Sequence, residues 1–149
     1  MNDRWTPHAT VATIVYRDEK FLMVEEFSDG KAVFNQPAGH IEQGETVADA
    51  AVRETLEETG WSVAPTGVLG LYTYTAPSNG VTYHRYCLIA DAIRHSPDAE
   101  LDDGIIGPKW MSIDELRNSD RLRSPMVLTC AEDFLARSHY PLDLIIEHP

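Results

Sequence analysis

Hydrophobic and polar positions along the chain alternate in two distinct periods. Residues 9–17, Ala-Thr-Val-Ala-Thr-Ile-Val-Tyr-Arg, are rich in β-branched side chains and predict a strand. After the polar turn Asp18-Glu19-Lys20, residues 21–26 predict a second strand, hairpin-paired with the first. Ser28-Asp29-Gly30 is a turn signal, and residues 32–35 form a short extended run. Pro37, Gly39 and Gly44 make residues 36–45 a loop. Thr46 with Asp49 three positions on is a capping-box pattern, so a helix is expected there, closed by Gly60. Strands are expected at 68–75 and 82–92 around the turn Pro77-Ser78-Asn79-Gly80. Residues 96–107 read as an acidic loop and 108–111 as a short extended piece. Ser112, with Glu115 as its partner, caps a brief helix, and Ser124-Pro125 opens a final one running to about Arg137. This order implies an α/β (α+β) domain, a sheet with helices on its faces. No repeat or linker interrupts it, so residues 1–149 are expected to form one domain.

The helix from Thr46 to Thr59 changes the picture. At about 100° per residue, Val47, Ala48, Ala51, Val52, Thr55, Leu56 and Thr59 share one half of the wheel, a core-facing stripe. Ala50, Arg53, Glu54, Glu57 and Glu58 share the other. Glu54, Glu57 and Glu58 stand at i, i+3 and i+4, so three like charges crowd one arc. Arg53, four residues before Glu57, is placed to offset one of them. Spacing alone fits a solvated acidic face better than a divalent-cation site.

Charge narrows the function classes. With 24 acidic against 12 basic residues, the net charge is −12. A face that grips nucleic-acid phosphates or anionic lipid needs cations the chain does not have to spare. The 43% apolar content is enough for a packed core. Residues 1–5 open no apolar run of signal-peptide type, and no run approaches the ~18 residues of a membrane helix, so a cytoplasmic protein is expected. Cys87 and Cys130 have no CxxC or histidine partner and read as reduced, buried thiols.

Around the acidic arc, Gly39, Glu45, Arg53, Glu54, Glu57, Glu58 and Gly60 stand in the register Gly-x5-Glu-x7-Arg-Glu-x-x-Glu-Glu-x-Gly. This is the Nudix box, and the chain resembles the Nudix hydrolase superfamily. Thr55 and Trp61 depart from the aliphatic preference at two packing positions, and Ala38 stands where a glycine is usual. The resemblance implies a mixed β-sheet sandwiched between helices. It also implies hydrolysis of nucleoside diphosphates linked to another moiety, with Mg²⁺ or Mn²⁺. Carried over by position, it makes Glu57 and Glu58 metal ligands, helped by the Ala38 carbonyl. Glu54 becomes a further ligand or the general base. Arg53 orients the glutamates, and Glu45 stands behind the ligands. A further acid is expected from Glu100, Asp102 and Asp103, with Asp102 preferred.

Outside the box, Phe34-Asn35-Gln36-Pro37-Ala38-Gly39-His40, Arg123-Ser124-Pro125 and Tyr140-Pro141-Leu142 look like the NudJ-type phosphatase branch, over roughly residues 8–145. That branch acts on nucleoside tri- and diphosphates and on hydroxymethylpyrimidine diphosphate. Asn35 and Gln36 then either contact substrate or hold the loop. His40 reaches a phosphate or steadies the loop, and Arg123 binds phosphate or forms a surface ion pair. Tyr74, Tyr83 and Trp110 stack a base or pack in the sheet. The alternatives are an ADP-ribose pyrophosphatase (Pro77 lies where these often carry a proline), a MutT-type nucleotide sanitiser, and a ligand-sensing domain without turnover. The intact set of box glutamates disfavours the last. Small-molecule substrate, no nucleic-acid polymer, no membrane, and a monomer or homodimer complete the expectation.

Overall fold

The fold was obtained as a computed structural model, which describes residues 3–148. Its elements run β1 (His8–Ile14), β2 (Tyr16–Arg17), β3 (Lys20–Ser28), β4 (Lys31–Asn35), β5 (Ala38–His40), α1 (Val47–Thr59), β6 (Trp61–Thr75), β7 (Thr82–His95), β8 (Ile105–Met111), α2 (Ile113–Arg117), α3 (Pro125–Ala136) and β9 (Tyr140–Pro141), ending in a 3₁₀ turn at Leu142–Leu144. A five-stranded mixed sheet has the order β5-β1-β7-β6-β9. A four-stranded antiparallel sheet is built on β3, flanked by β8 on one side and by β2 and β4 on the other. Among the described residues, no helix is long and apolar enough to cross a membrane.

The expected hairpin between residues 9–17 and 21–26 is confined to Tyr16–Arg17 opposite Lys20 and Phe21. The left-handed residues Asp18 and Glu19, at φ 52° and 62°, close it. The rest of the run, β1, lies in the other sheet, parallel to β7 and antiparallel to β5. The physical reason is burial on both faces. Val11 packs toward α1 and Ala12 toward α3, so β1 is a central strand, and its near-continuous apolar run is the mark of one.

Three further boundaries differ from expectation. The loop at 36–45 contains the three-residue β5, and the loop at 96–107 already enters β8 at Ile105. β6 starts at Trp61, directly after the helix, because register shifts near Ser62, Pro65 and Val68 hide its alternation.

The core lies on both faces of the five-stranded sheet. On one, Val11, Val68 and Leu88 meet Val47, Ala50 and Ala51 of α1. On the other, Ala12, Leu69 and Cys87 meet Val127, Cys130 and Ala131 of α3, with Phe21, Met23 and Met111 from the second sheet. The expected sandwich of sheet between helices is thus present. Both cysteines are free and buried, as expected.

Helix α1 has the expected ends. Thr46 Oγ1 accepts from the Asp49 amide at 3.1 Å, and Gly60 closes it at φ 76°. Its buried arc, however, is rotated. Ala50 and Glu58 are buried, whereas Leu56 is 39% exposed. The cause is that the C-terminal half packs its acidic side against the sheet edge. Thr55 and Thr59, also buried, satisfy their hydroxyls on the carbonyls of Ala51 (2.7 Å) and Thr55 (2.6 Å).

Candidate active site

The site grows from the open edge of β5. Gly39 pairs with Val11 of β1, so its neighbours Ala38 and His40 turn their backbone polar groups outward. The Ala38 amide donates to Glu58 Oε1 at 2.8 Å, and the His40 carbonyl accepts from Arg53 Nη2 at 3.1 Å. Two charged side chains of α1 thereby satisfy an edge that would otherwise be unpaired. Gly39 matters for a different reason: a Cβ there would run into the Glu54 carboxylate. The bare strand lets that carboxylate lie against it.

Arg53 organises the acids more widely than spacing suggested. Its Nε and Nη2 donate to the two oxygens of Glu45, at 2.6 and 2.9 Å. Nη1 donates to Glu54 at 2.7 Å and to Glu57 at 3.2 Å. One guanidinium therefore offsets three carboxylates rather than one. The Arg53 hydrogen bond holds the Glu45 carboxyl below its ordinary value, and the same contact, with that of Glu54, holds the guanidinium firmly charged.

The remaining acids divide by burial. Glu54, Glu57 and Asp102 form an open group in which one oxygen from each lies within 4.8 Å of the others. The Asp102 amide donates to the Glu57 carbonyl at 3.0 Å, which ties the β7–β8 loop to the end of α1. Burial raises the Glu54 carboxyl, partly countered by Arg53. Glu58 stands apart from the open group, 8% exposed. Burial pushes its carboxyl up to about 8; the Ala38 amide counters this and the negative charges of Glu26, Glu54 and Asp102 add to it.

Glu26 escaped the sequence reasoning. It is 8% exposed and ion-paired with Arg123 at 2.6 Å. A signal existed: Glu26 continues the alternation of Leu22 and Val24, both buried, so a charge falls where an apolar residue belongs. Arg123 itself is anchored by its amide on the Phe34 carbonyl at 2.9 Å. Asn35 accepts from Arg85 at 3.0 Å. Gln36 donates to the Val127 carbonyl at 2.7 Å, and its buried Oε1 has no partner. His40 is exposed and meets His8, with ring nitrogens 3.0 Å apart. Tyr83 packs edge-on against both imidazoles, while Trp110 packs against Trp61.

The donor set fits a hard divalent cation. It consists of carboxylate oxygens alone, crowded closely enough that burial and mutual repulsion raise two of their proton affinities.

Comparison with known proteins places this arrangement. A model of the NUDIX domain matches residues 6–129. Phosphatase NudJ from Escherichia coli is 37% identical over 139 residues, covering 93% of this chain and 90% of that protein. The solved structure of a NUDIX hydrolase from Nitrosomonas europaea superposes with a TM-score of 0.93 at 43% identity, over 96% of this chain and 98% of that one. A MutT NUDIX hydrolase from Burkholderia pseudomallei shares the fold, with a TM-score of 0.74 at 20% identity, over 87% and 98% of the two chains.

Proposed function

The chain belongs to the NUDIX family of hydrolases, and from that premise we propose that it hydrolyses phosphoanhydride bonds in nucleoside tri- and diphosphates or in a pyrimidine diphosphate of the hydroxymethylpyrimidine type. The observation that carries this reading is the oxygen-only group of Glu54, Glu57 and Asp102 beside buried Glu58. Glu54, Glu57, Glu58 and the Ala38 carbonyl hold Mg²⁺ or Mn²⁺ in this reading. A strand residue turns its carbonyl to the same side as its amide, so Ala38 presents its oxygen on the edge where Glu58 lies. The bound cation supplies charge neutralisation at the phosphates and acidifies water at neutral pH.

The chain's own residues do the rest. Arg53 and Glu45 hold the helix carboxylates in register. Glu54, with its raised proton affinity, either completes the ligand set or holds the proton of the attacking water. Asp102 adds a carboxylate from the β7–β8 loop, and Arg123, Asn35, Gln36 and His40 face the substrate. The protein acts as a single cytoplasmic domain on small molecules, as monomer or homodimer.

A substrate panel with Mg²⁺ tests the proposal, scored by which phosphate product forms. Release of phosphate from nucleoside tri- and diphosphates or from hydroxymethylpyrimidine diphosphate is expected. Strong ADP-ribose cleavage with no action on those substrates would overturn it.

A further inference from the structure

Arg85 is a buried cation without a carboxylate partner among the described residues. It is 4% exposed, on β7, and its side chain bonds only Asn35 Oδ1 at 3.0 Å and, weakly, Cys130 Sγ at 3.9 Å. The acid of α3 packed on this side, Asp133, is engaged elsewhere, by the Tyr72 hydroxyl at 2.8 Å and by Arg137 at 3.6 Å. Burying a charge is costly, and a chain with 24 acidic residues has abundant means to pair it. Here it does not.

The placement gives a reason. Arg85 shares a sheet face with Cys87, the α3 side, and stands opposite Thr10 of β1, which stands opposite His40 of β5. Arg85 is therefore two strands, about 10 Å, from the edge that carries Ala38. Asn35 lies three residues before Ala38. Because Arg85 occupies Asn35 Oδ1, the amide nitrogen of Asn35 is left to donate outward. Both side chains then offer donors and no acceptor.

We propose that Arg85 and Asn35 form a donor-only subsite that reads a carbonyl-bearing edge of the substrate's heterocycle while its phosphates lie at the α1 carboxylates. This rests on the hydrolase reading above and extends it to the organic half of the substrate. A neutral acceptor edge suits the pair, since it satisfies the donors without a second buried charge.

The test is Asn35→Asp, isosteric with the native residue, alongside Arg85→Lys. Uridine diphosphate and methyl diphosphate are compared through their kcat/KM values. The aspartate supplies the missing counter-ion, so the melting temperature is expected to rise. It also replaces an outward donor by an acceptor, so the preference for uridine diphosphate is expected to fall at least tenfold. Arg85→Lys should lower that preference too. A purely structural pair would move the melting temperature and leave the preference intact, which would overturn the proposal. An equal loss on both substrates would assign the pair to phosphate and overturn it as well. Should the native protein hydrolyse neither compound, the hydrolase reading fails by itself. Calorimetric titration of uridine diphosphate into native protein and Asn35→Asp then decides the subsite: tighter or equal binding by Asn35→Asp overturns it, and weaker binding upholds it.

Discussion

Arg53 and Arg85 serve the same five-stranded sheet from opposite sides. Arg53, on the α1 side, touches Glu45, Glu54 and Glu57, so its charge is spent holding acids together that would otherwise repel. Arg85, on the α3 side, is more deeply buried and touches an amide and a thiol. The difference separates two tasks. The α1 side gathers negative charge and has a shortage of cations. The α3 side keeps one cation whose bonding capacity is not used up. A substrate with phosphates at one end and a neutral heterocycle at the other fits that division, and variants on each side should fail in different ways.

The largest effect is expected from Glu57→Gln. It removes a charged oxygen from the open group while touching no core contact, since the side chain is 38% exposed. Turnover should fall by on the order of 10³-fold at unchanged circular dichroism. Gly39→Ala comes next. The added Cβ displaces the flexible end of Glu54 rather than backbone, so the melting temperature should hold while kcat drops by roughly 10²-fold. A large loss of stability there would mean that the strand, not the carboxylate, needs the glycine.

Glu58 makes the α1 side sensitive to pH. Its carboxyl is pushed up to about 8 from 4.5 by burial, so the folded, cation-free chain keeps a proton that the unfolded chain releases. This contribution to stability is full below pH 4.5 and is lost as pH rises through 8, a change on the order of a few kcal/mol. A divalent cation offsets the charge instead of the proton. Mg²⁺ should therefore raise the melting temperature more at pH 8.5 than at pH 6, and equal increments would contradict that. The smallest effect is expected at Leu56, the apolar residue that the rotated helix leaves 39% exposed. Leu56→Gln should cost no more than about 0.5 kcal/mol in urea denaturation, because both residues are good helix formers.

The helix and its chemistry were legible in the sequence because they are local. Thr46, Gly60 and the spaced glutamates lie within one continuous stretch, and their register alone carries them. Arg53 was underestimated because its reach to Glu45 depends on where the preceding loop folds. The pairing of β1 with β7 was hidden because the two strands lie about seventy residues apart, and alternation says nothing of partner or direction. β5 is too short to alternate visibly. Glu26 and Arg85 escaped for a shared reason: each sits in an ordinary strand, and what makes it unusual is burial against elements distant in the chain. In both, a charged residue stands in phase with buried apolar neighbours, Leu22 and Val24 for Glu26 and Cys87 for Arg85.

The account turns on the α1 carboxylates working through a divalent cation. Phosphate release from a nucleoside diphosphate, followed at pH 8 while Mg²⁺ is removed by chelation and then restored, tests this most directly. Turnover should vanish with the chelator and return with Mg²⁺ or Mn²⁺. Undiminished turnover under chelation would contradict the account.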